Sequence, residues 1–444
     1  MPDRWVEPAD PVAAALVAAF LDGPWTAKDL ALRGRRAVGR PRAGWLRPLA
    51  ERVVERFPRP PVDEPRALQA CVVGSEAYGK ARSAAARAGE PLRVAHLATA
   101  TTGMGRNRWG VPPLDTVGDL ATFLELEDGE LDWFADVRRR QVRAPAGPLH
   151  HYRSSWRVKR GAPRLLEAPQ PRLKALQRRV LHEVLARFPV HDAAHGFVPG
   201  RSPLTGAWDH VLARTVVRFD LEGFFASVAA GRVFGVFRQT GYPEPVAHLL
   251  TGLTTHVTPL AVLREMPEGG AGDERHRLRR HLSRAHLPQG APTSPALANL
   301  VALGLDRRLA GLARSLGATC TRYADDLTFS SVDGLDPDRL HRAVARIAAD
   351  EGFRLNEAKT RVRGSGARQV VTGLVVNERP NVPREEFDRL KATLHNCVRH
   401  GPDGQNRDGH PDFRAHLLGR VARVESVNPA KGRRLRSSFD AIAW

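Results

Sequence analysis

Cysteine is scarce: the 444 residues contain three, Cys71, Cys320 and Cys397, and no CxxC pair. That excludes a disulfide scaffold and a cysteine-based zinc finger, and fits reduced thiols in a cytoplasm. Long apolar runs are missing as well. No stretch approaches the roughly 20 uninterrupted apolar residues of a membrane span, so no membrane partner is expected. The short apolar run from Pro11 to Leu21 follows Asp3, Glu7 and Asp10, where a secretory leader has basic residues. A soluble cytoplasmic protein is therefore expected. HExxH, nucleophile-elbow and dinucleotide fingerprints are absent, and Gly269-Gly270-Ala271-Gly272 lacks the Lys-Ser/Thr of a phosphate loop. Acid is the other deficit: 48 Asp and Glu stand against 68 Lys and Arg, a net charge of +20. With 42% apolar residues the chain is globular. Its excess charge points to a polyanion, most often nucleic acid.

Four blocks differ in pattern. Residues 1–140 read as a mostly helical extension. Its clearest unit, Pro113 to Arg140, sets Leu120, Phe123 and Leu124 on one helical face and Leu131, Trp133 and Phe134 on another. Glu125, Glu127, Asp128, Glu130 and Asp132 would repel phosphate, so this pair of helices is expected to face a protein. Residues 141–214 are basic, with nine Lys or Arg between Arg153 and Arg179 against one acid, Glu167. Arg164 to Ala168 reads as a strand, and Pro171 opens an amphipathic helix carrying Leu173, Leu176, Val180 and Leu181. Residues 215–380 mix strands and helices, and their polar, Arg- and His-rich insertion near 266–286 is expected to be an exposed loop or hairpin. One helix, opened by Ser294-Pro295, carries Leu297, Val301, Leu305, Leu309 and Leu312. Residues 381–444 read as three helices. Cys397 falls on the apolar stripe of the first, which argues against a zinc site built from His395, Cys397, His400 and His410.

Two carboxylate sites stand out. Asp220 ends the apolar strand Val216 to Phe219, and Asp325-Asp326 sit at the tip of a hairpin running from Thr321 to Phe329. The Asp-Asp pair alone fits a solvated turn. Joined by a second strand-end Asp, the set can hold two Mg²⁺ ions through oxygen ligands, the arrangement that activates a hydroxyl and stabilises departing pyrophosphate.

Tyr323-Ala324-Asp325-Asp326, with Leu327-Thr328-Phe329-Ser330 behind it, resembles the catalytic hairpin of reverse transcriptases. Phe219-Asp220-Leu221-Glu222-Gly223-Phe224-Phe225 resembles their first catalytic motif. Leu287-Pro288-Gln289-Gly290, Gly352 to Thr360 and Val371 to Asn377 are similar to three further motifs, in the same order. Arg164-Leu165-Leu166 and His195 to Ser202 resemble the fingers motifs of the bacterial enzymes. The retron branch is the most similar, with Gly206-Ala207-Trp208-Asp209-His210 carrying Gly206 where that branch has Asn, and with the triplet Val371-Thr372-Gly373.

The resemblance implies an α+β right-hand polymerase: fingers (141–214), palm (215–380), helical thumb (381–444) and an N-terminal helical extension (1–140). It implies RNA-directed DNA synthesis from dNTPs with two Mg²⁺, held by Asp220, Asp325 and Asp326. Arg164, Gln289, Gly290 and Lys359 would contact the nucleotide, and Phe225 would exclude a ribose 2′-OH. Arg201, His210, Tyr323, Val371, Thr372 and Gly373 would contact RNA or DNA. The retron branch implies a cognate structured RNA copied in part into an RNA–DNA hybrid (msDNA) primed from a guanosine 2′-OH, a role in anti-phage defence, and an effector protein. Two alternatives stay open: another bacterial reverse transcriptase of group II intron or abortive-infection type, and a catalytically silent RNA-binding scaffold.

Overall fold

The structure is a computed structural model that describes residues 10–98, 102–144, 147, 150–159 and 161–444; Asp3 and Glu7 lie outside them. Strands form where β-branched and apolar residues run between turn signals. In chain order they are β1 (Tyr152–Lys159), β2 (Ala162–Pro169), β3 (Thr215–Asp220), β4 (Thr319–Tyr323), β5 (Asp326–Ser331), β6 (Arg361–Gly364), β7 (Val370–Val371) and β8 (Leu374–Val375). These strands pair with one another antiparallel: β1 with β2, β7 with β8, and a four-stranded sheet in the order β4-β5-β3-β6.

The chain divides into two compact units, Met1–Phe188 with Ala229–Arg275 and Leu282–Thr293, and Pro189–Val228 with His276–His281 and Ser294–Trp444. These cut across the blocks read from the sequence, since 141–188 falls in the first unit and 189–214 in the second. In the first unit, helices Pro11–Leu21, Ala27–Ala37, Leu46–Arg56 and Pro65–Val73 close around Leu16, Phe20, Leu30, Leu49, Val53 and Leu68. The apolar N-terminal run is thus one wall of a core. The β1–β2 hairpin precedes the helix Pro171–Arg179, whose Gln177 amide donates to the Tyr152 hydroxyl and the Leu253 carbonyl, both at 2.8 Å.

The acidic stretch near 125–132 is engaged inside this unit. Glu130 meets Arg172 at 2.6 Å and Glu125 meets Arg179 at 2.8 Å, so the acids pair with the basic helix. Of Leu131, Trp133 and Phe134, the first and last are buried and Trp133 is exposed. The 266–286 insertion is corrected: it contains the helix Gly272–Leu282. Asp273 and Glu274 open that helix and Arg279, Arg280 and His281 close it, an order the helix dipole favours.

In the second unit, the central strand β3 buries Val216, Val217 and Phe219. The single helix expected after Ser294 is two, Ser294–Val301 and Leu303–Ser315, separated at Ala302. Helices Arg384–His400, Phe413–Val427 and Pro429–Asp440 fulfil the three-helix reading and enclose Leu390, Leu394, Cys397, Leu417, Val421, Val424 and Phe439. No helix among the described residues is long and apolar enough to cross a membrane.

Candidate active site

Register places the acids. In the β3–β5 ladder Asp220 stands opposite Asp326, and in the β4–β5 ladder Tyr323 stands opposite the same residue. Ala324 and Asp325 form the two-residue turn between β4 and β5. Ala324 is in the left-handed region (φ 57°), a conformation usually given to glycine at such a turn. The turn is braced from several directions. The Leu221 amide donates to the Asp325 carbonyl at 2.9 Å, and Arg322 Nη1 donates to the Ala324 carbonyl at 3.1 Å. Gly196 packs so closely that a Cβ there would lie 2.5 Å from the Ala324 nitrogen. Its carbonyl accepts from Asn299 Nδ2 at 2.9 Å.

Cations touch Asp220 and Asp326. Lys359 Nζ lies 2.7 Å from Asp220 Oδ1, and Arg218 Nη2 lies 3.2 Å from Asp326 Oδ1. The Asn356 amide donates to the Asp220 carbonyl at 2.7 Å, which anchors the short turn carrying Lys359. Burial pushes the Asp220 carboxyl above its ordinary value; Lys359 opposes that, while Asp325 and Asp326 add to it. Three mutually repelling carboxylates with hard oxygen donors suit a divalent cation such as Mg²⁺. No preformed cage of three or more metal-binding side chains occurs among the described residues. In this arrangement Lys359 and Arg218 balance part of the charge.

Phe224 and Phe225 differ in burial. Phe224 is buried, 5.6 Å from the Phe353 ring and under the Arg322 guanidinium, while Phe225 is half-buried. Phe225 has a neighbour that sequence reasoning missed. The Phe197 ring lies 6.1 Å from Phe225 and 6.4 Å from Tyr323, 49% exposed and with a left-handed backbone (φ 61°). A bulky residue in that region is a conformational outlier, and such outliers gather at functional sites.

Arg164, Gln289 and Gly290, the residues expected to contact a nucleotide, lie together in the first unit. Arg164 Nε donates to Gln289 Oε1 at 2.8 Å, and the Gln289 carbonyl accepts from the Glu167 amide at 2.8 Å. Gly290 (φ 132°) passes so near β2 that a Cβ would lie 2.9 Å from the Glu167 carbonyl oxygen.

Two residues expected to contact RNA or DNA, His210 and Val371, serve the scaffold instead. His210 is fully buried and bridges Ser330 Oγ and Thr321 Oγ1, each at 2.7 Å, which ties the segment before β3 to β4 and β5. Val371 is fully buried in the C-terminal core. Neither side chain can reach a nucleic acid. Arg201 donates to the carbonyls of His191, Asp192 and Ala194 and pairs with Asp192 at 3.0 Å. Thr372 and Gly373 both have positive φ and form the tight turn of the β7–β8 hairpin; Thr372 Oγ1 donates to the Pro203 carbonyl at 2.8 Å. Gly206, at the position where the retron branch has Asn, packs against His195: a Cβ would meet that ring at 3.2 Å.

Residues 155–372 match the family described as reverse transcriptase (RNA-dependent DNA polymerase). The chain is 43% identical over 336 residues to the Retron Mx65 reverse transcriptase of Myxococcus xanthus, covering 74% of this chain and 72% of that relative. It is 40% identical to the Retron Mx162 reverse transcriptase of the same organism, over 73% of this chain and 66% of the relative. Against the Retron Ec86 reverse transcriptase of Escherichia coli, identity is 33%, over 61% of this chain and 74% of the relative.

Proposed function

This chain belongs to the retron reverse transcriptases, RNA-directed DNA polymerases, and on that premise we propose that it copies part of a cognate structured RNA into DNA that stays joined to RNA. The observation that carries the reading is Asp220 opposite Asp326 across β3 and β5, with Asp325 in the turn between β4 and β5. These three carboxylates would hold two Mg²⁺, which would supply activation of the attacking hydroxyl and stabilisation of the pyrophosphate leaving group. The Arg164 fork binds triphosphate oxygens, a geometry suited to a planar guanidinium. Gln289 and Gly290 would contact the nucleotide, and Phe225 would exclude a ribose 2′-OH. Lys359, held on Asp220, is within reach of a role as proton donor to the departing pyrophosphate. Tyr323 supports the primer end. Residues 141–214 act as fingers, 215–380 as palm and 381–444 as thumb, and the basic surface binds template and product. A retron setting adds priming from a guanosine 2′-OH, an effector protein and anti-phage defence in the cytoplasm.

The test is to express the gene with its native flanking locus and extract nucleic acid. Short DNA joined to RNA by a 2′,5′ linkage is expected from the native chain and absent with Asp325→Ala. A chain that extends primers on RNA templates in vitro yet leaves no such hybrid in cells would retain the polymerase and overturn the retron product.

A further inference from the structure

We propose that Glu167 and His286 are positioning residues for the incoming nucleotide: their buried pair fixes the Gln289–Gly290 segment against Arg164. The inference rests on the reading of Arg164, Gln289 and Gly290 as nucleotide contacts, and all of these residues belong to the first unit.

Glu167 is the single acid between Arg153 and Arg179, yet it does not lie among those bases at the surface. Side chains along β2 alternate, so Leu165 and Glu167 turn inward while Arg164 turns outward. Glu167 is 1% exposed, and a carboxylate so placed is tolerated only when its charge and lone pairs are met. His286 Nε2 donates to it at 2.9 Å and Thr258 Oγ1 at 2.7 Å, with His256 Nε2 3.8 Å away. The other ring nitrogen of His286, Nδ1, lies 2.7 Å from the Arg284 carbonyl. Both nitrogens of His286 therefore face acceptors, an arrangement that needs both protons and makes the ring an imidazolium. The charge balance agrees: Glu167 holds the His286 pKa above its ordinary value against the pull of burial, and His286 helps to keep Glu167 ionised.

The pair is wired to the nucleotide residues. His286 exchanges backbone hydrogen bonds with His256 at 2.9 and 3.0 Å, which fixes where the segment starts. Three residues on, the Gln289 carbonyl accepts from the Glu167 amide, and its side chain accepts from Arg164. Gly290 then passes the Glu167 carbonyl at a distance no side chain would permit. Glu167 thus touches the segment by carboxylate, amide and carbonyl. A slip of one residue along β2 would turn Glu167 outward and Arg164 inward, so the buried pair sets the register that aims Arg164 at Gln289. An apolar residue of similar volume would fill the space without specifying that register.

The experiment measures KM for one dNTP and kcat, using the full chain with saturating primer on an RNA template. Glu167→Gln keeps the shape and removes the charge; it should raise KM about tenfold and change kcat far less. Thr258→Val, a milder variant that leaves both charges in place, should move KM in the same direction by a smaller factor. With Gln289→Ala the rises should be less than multiplicative, because both changes act on one segment. Unchanged KM in both Glu167→Gln and Thr258→Val, or a fully multiplicative double variant, would overturn the proposal. Should Glu167→Gln fail to fold, Thr258→Val and its double variant decide alone. If Arg164→Ala and Gln289→Ala themselves leave KM unchanged, the nucleotide-site reading fails and this inference with it. If they raise KM while the Glu167 and Thr258 variants do not, this inference alone fails.

Discussion

Asp306 and Asp220 are both nearly buried carboxylates in the second unit, one beneath the β4–β5 hairpin and one beside its tip. Asp306, 2% exposed, takes both arms of the Arg322 fork at 2.6 Å, and the same guanidinium reaches Asn299 and the turn carbonyl of Ala324. Its charge is fully met within the fold. Asp220, 7% exposed, has one lysine at 2.7 Å and two further carboxylates that raise its affinity for a proton. Burial alone therefore does not mark the acid proposed to act in catalysis. The mark is negative charge that the chain leaves partly unbalanced, in a place braced well enough to keep it there.

The largest expected effect strikes the tip. Asp325→Ala should lower DNA synthesis on an RNA template by at least about 10³-fold while the melting temperature stays near that of the native chain. Equal loss of fold and activity would erase the distinction between tip and underside. At the underside, Arg322→Met strands the Asp306 charge and should cost about 3–5 kcal/mol of stability, read by denaturant unfolding. Little change there would mean that the fork is not what holds the hairpin. A smaller effect is expected of Phe225→Ala, which should raise ribonucleotide incorporation by about tenfold or more, measured as the ratio of kcat/KM for a dNTP and its rNTP. An unchanged ratio would remove the gate from the tip.

Much of this was legible in the sequence where local pattern decides. A β-branched strand ending in Asp220 and a short hairpin carrying Asp325-Asp326 are set by alternation and turn chemistry, and the three C-terminal helices by their apolar spacing. Partners distant in the chain were not legible. Composition showed Glu125 and Glu130 as a repulsive patch; Arg179 and Arg172, which neutralise them, lie more than 40 residues away. His210, Arg201 and Val371 sit in conspicuous motifs, but only the fold reveals that their atoms are spent on Ser330 and Thr321, on three carbonyls, and on a core. The Gly272–Leu282 helix was hidden because its polar residues read as a loop, although its charge order was a usable signal. Phe197 lay inside a recognised motif with no local sign that its ring would stand beside Phe225.

The smallest effect is the most direct test of the claim that the tip holds charge in reserve. A carboxyl whose folded pKa lies above its unfolded value of 3.8 binds its proton more tightly in the fold, so its ionised form costs stability. That cost is fully present above the folded pKa and vanishes below the unfolded one. In metal-free buffer at neutral pH, Asp220→Asn should therefore raise the stability of the chain, by about 0.5–2 kcal/mol. The gain should fade as the pH falls toward 3.8. Asp306→Asn, measured in the same thermal melts, should lower stability. Opposite signs are the predicted result, and a loss of stability in both variants would contradict the account.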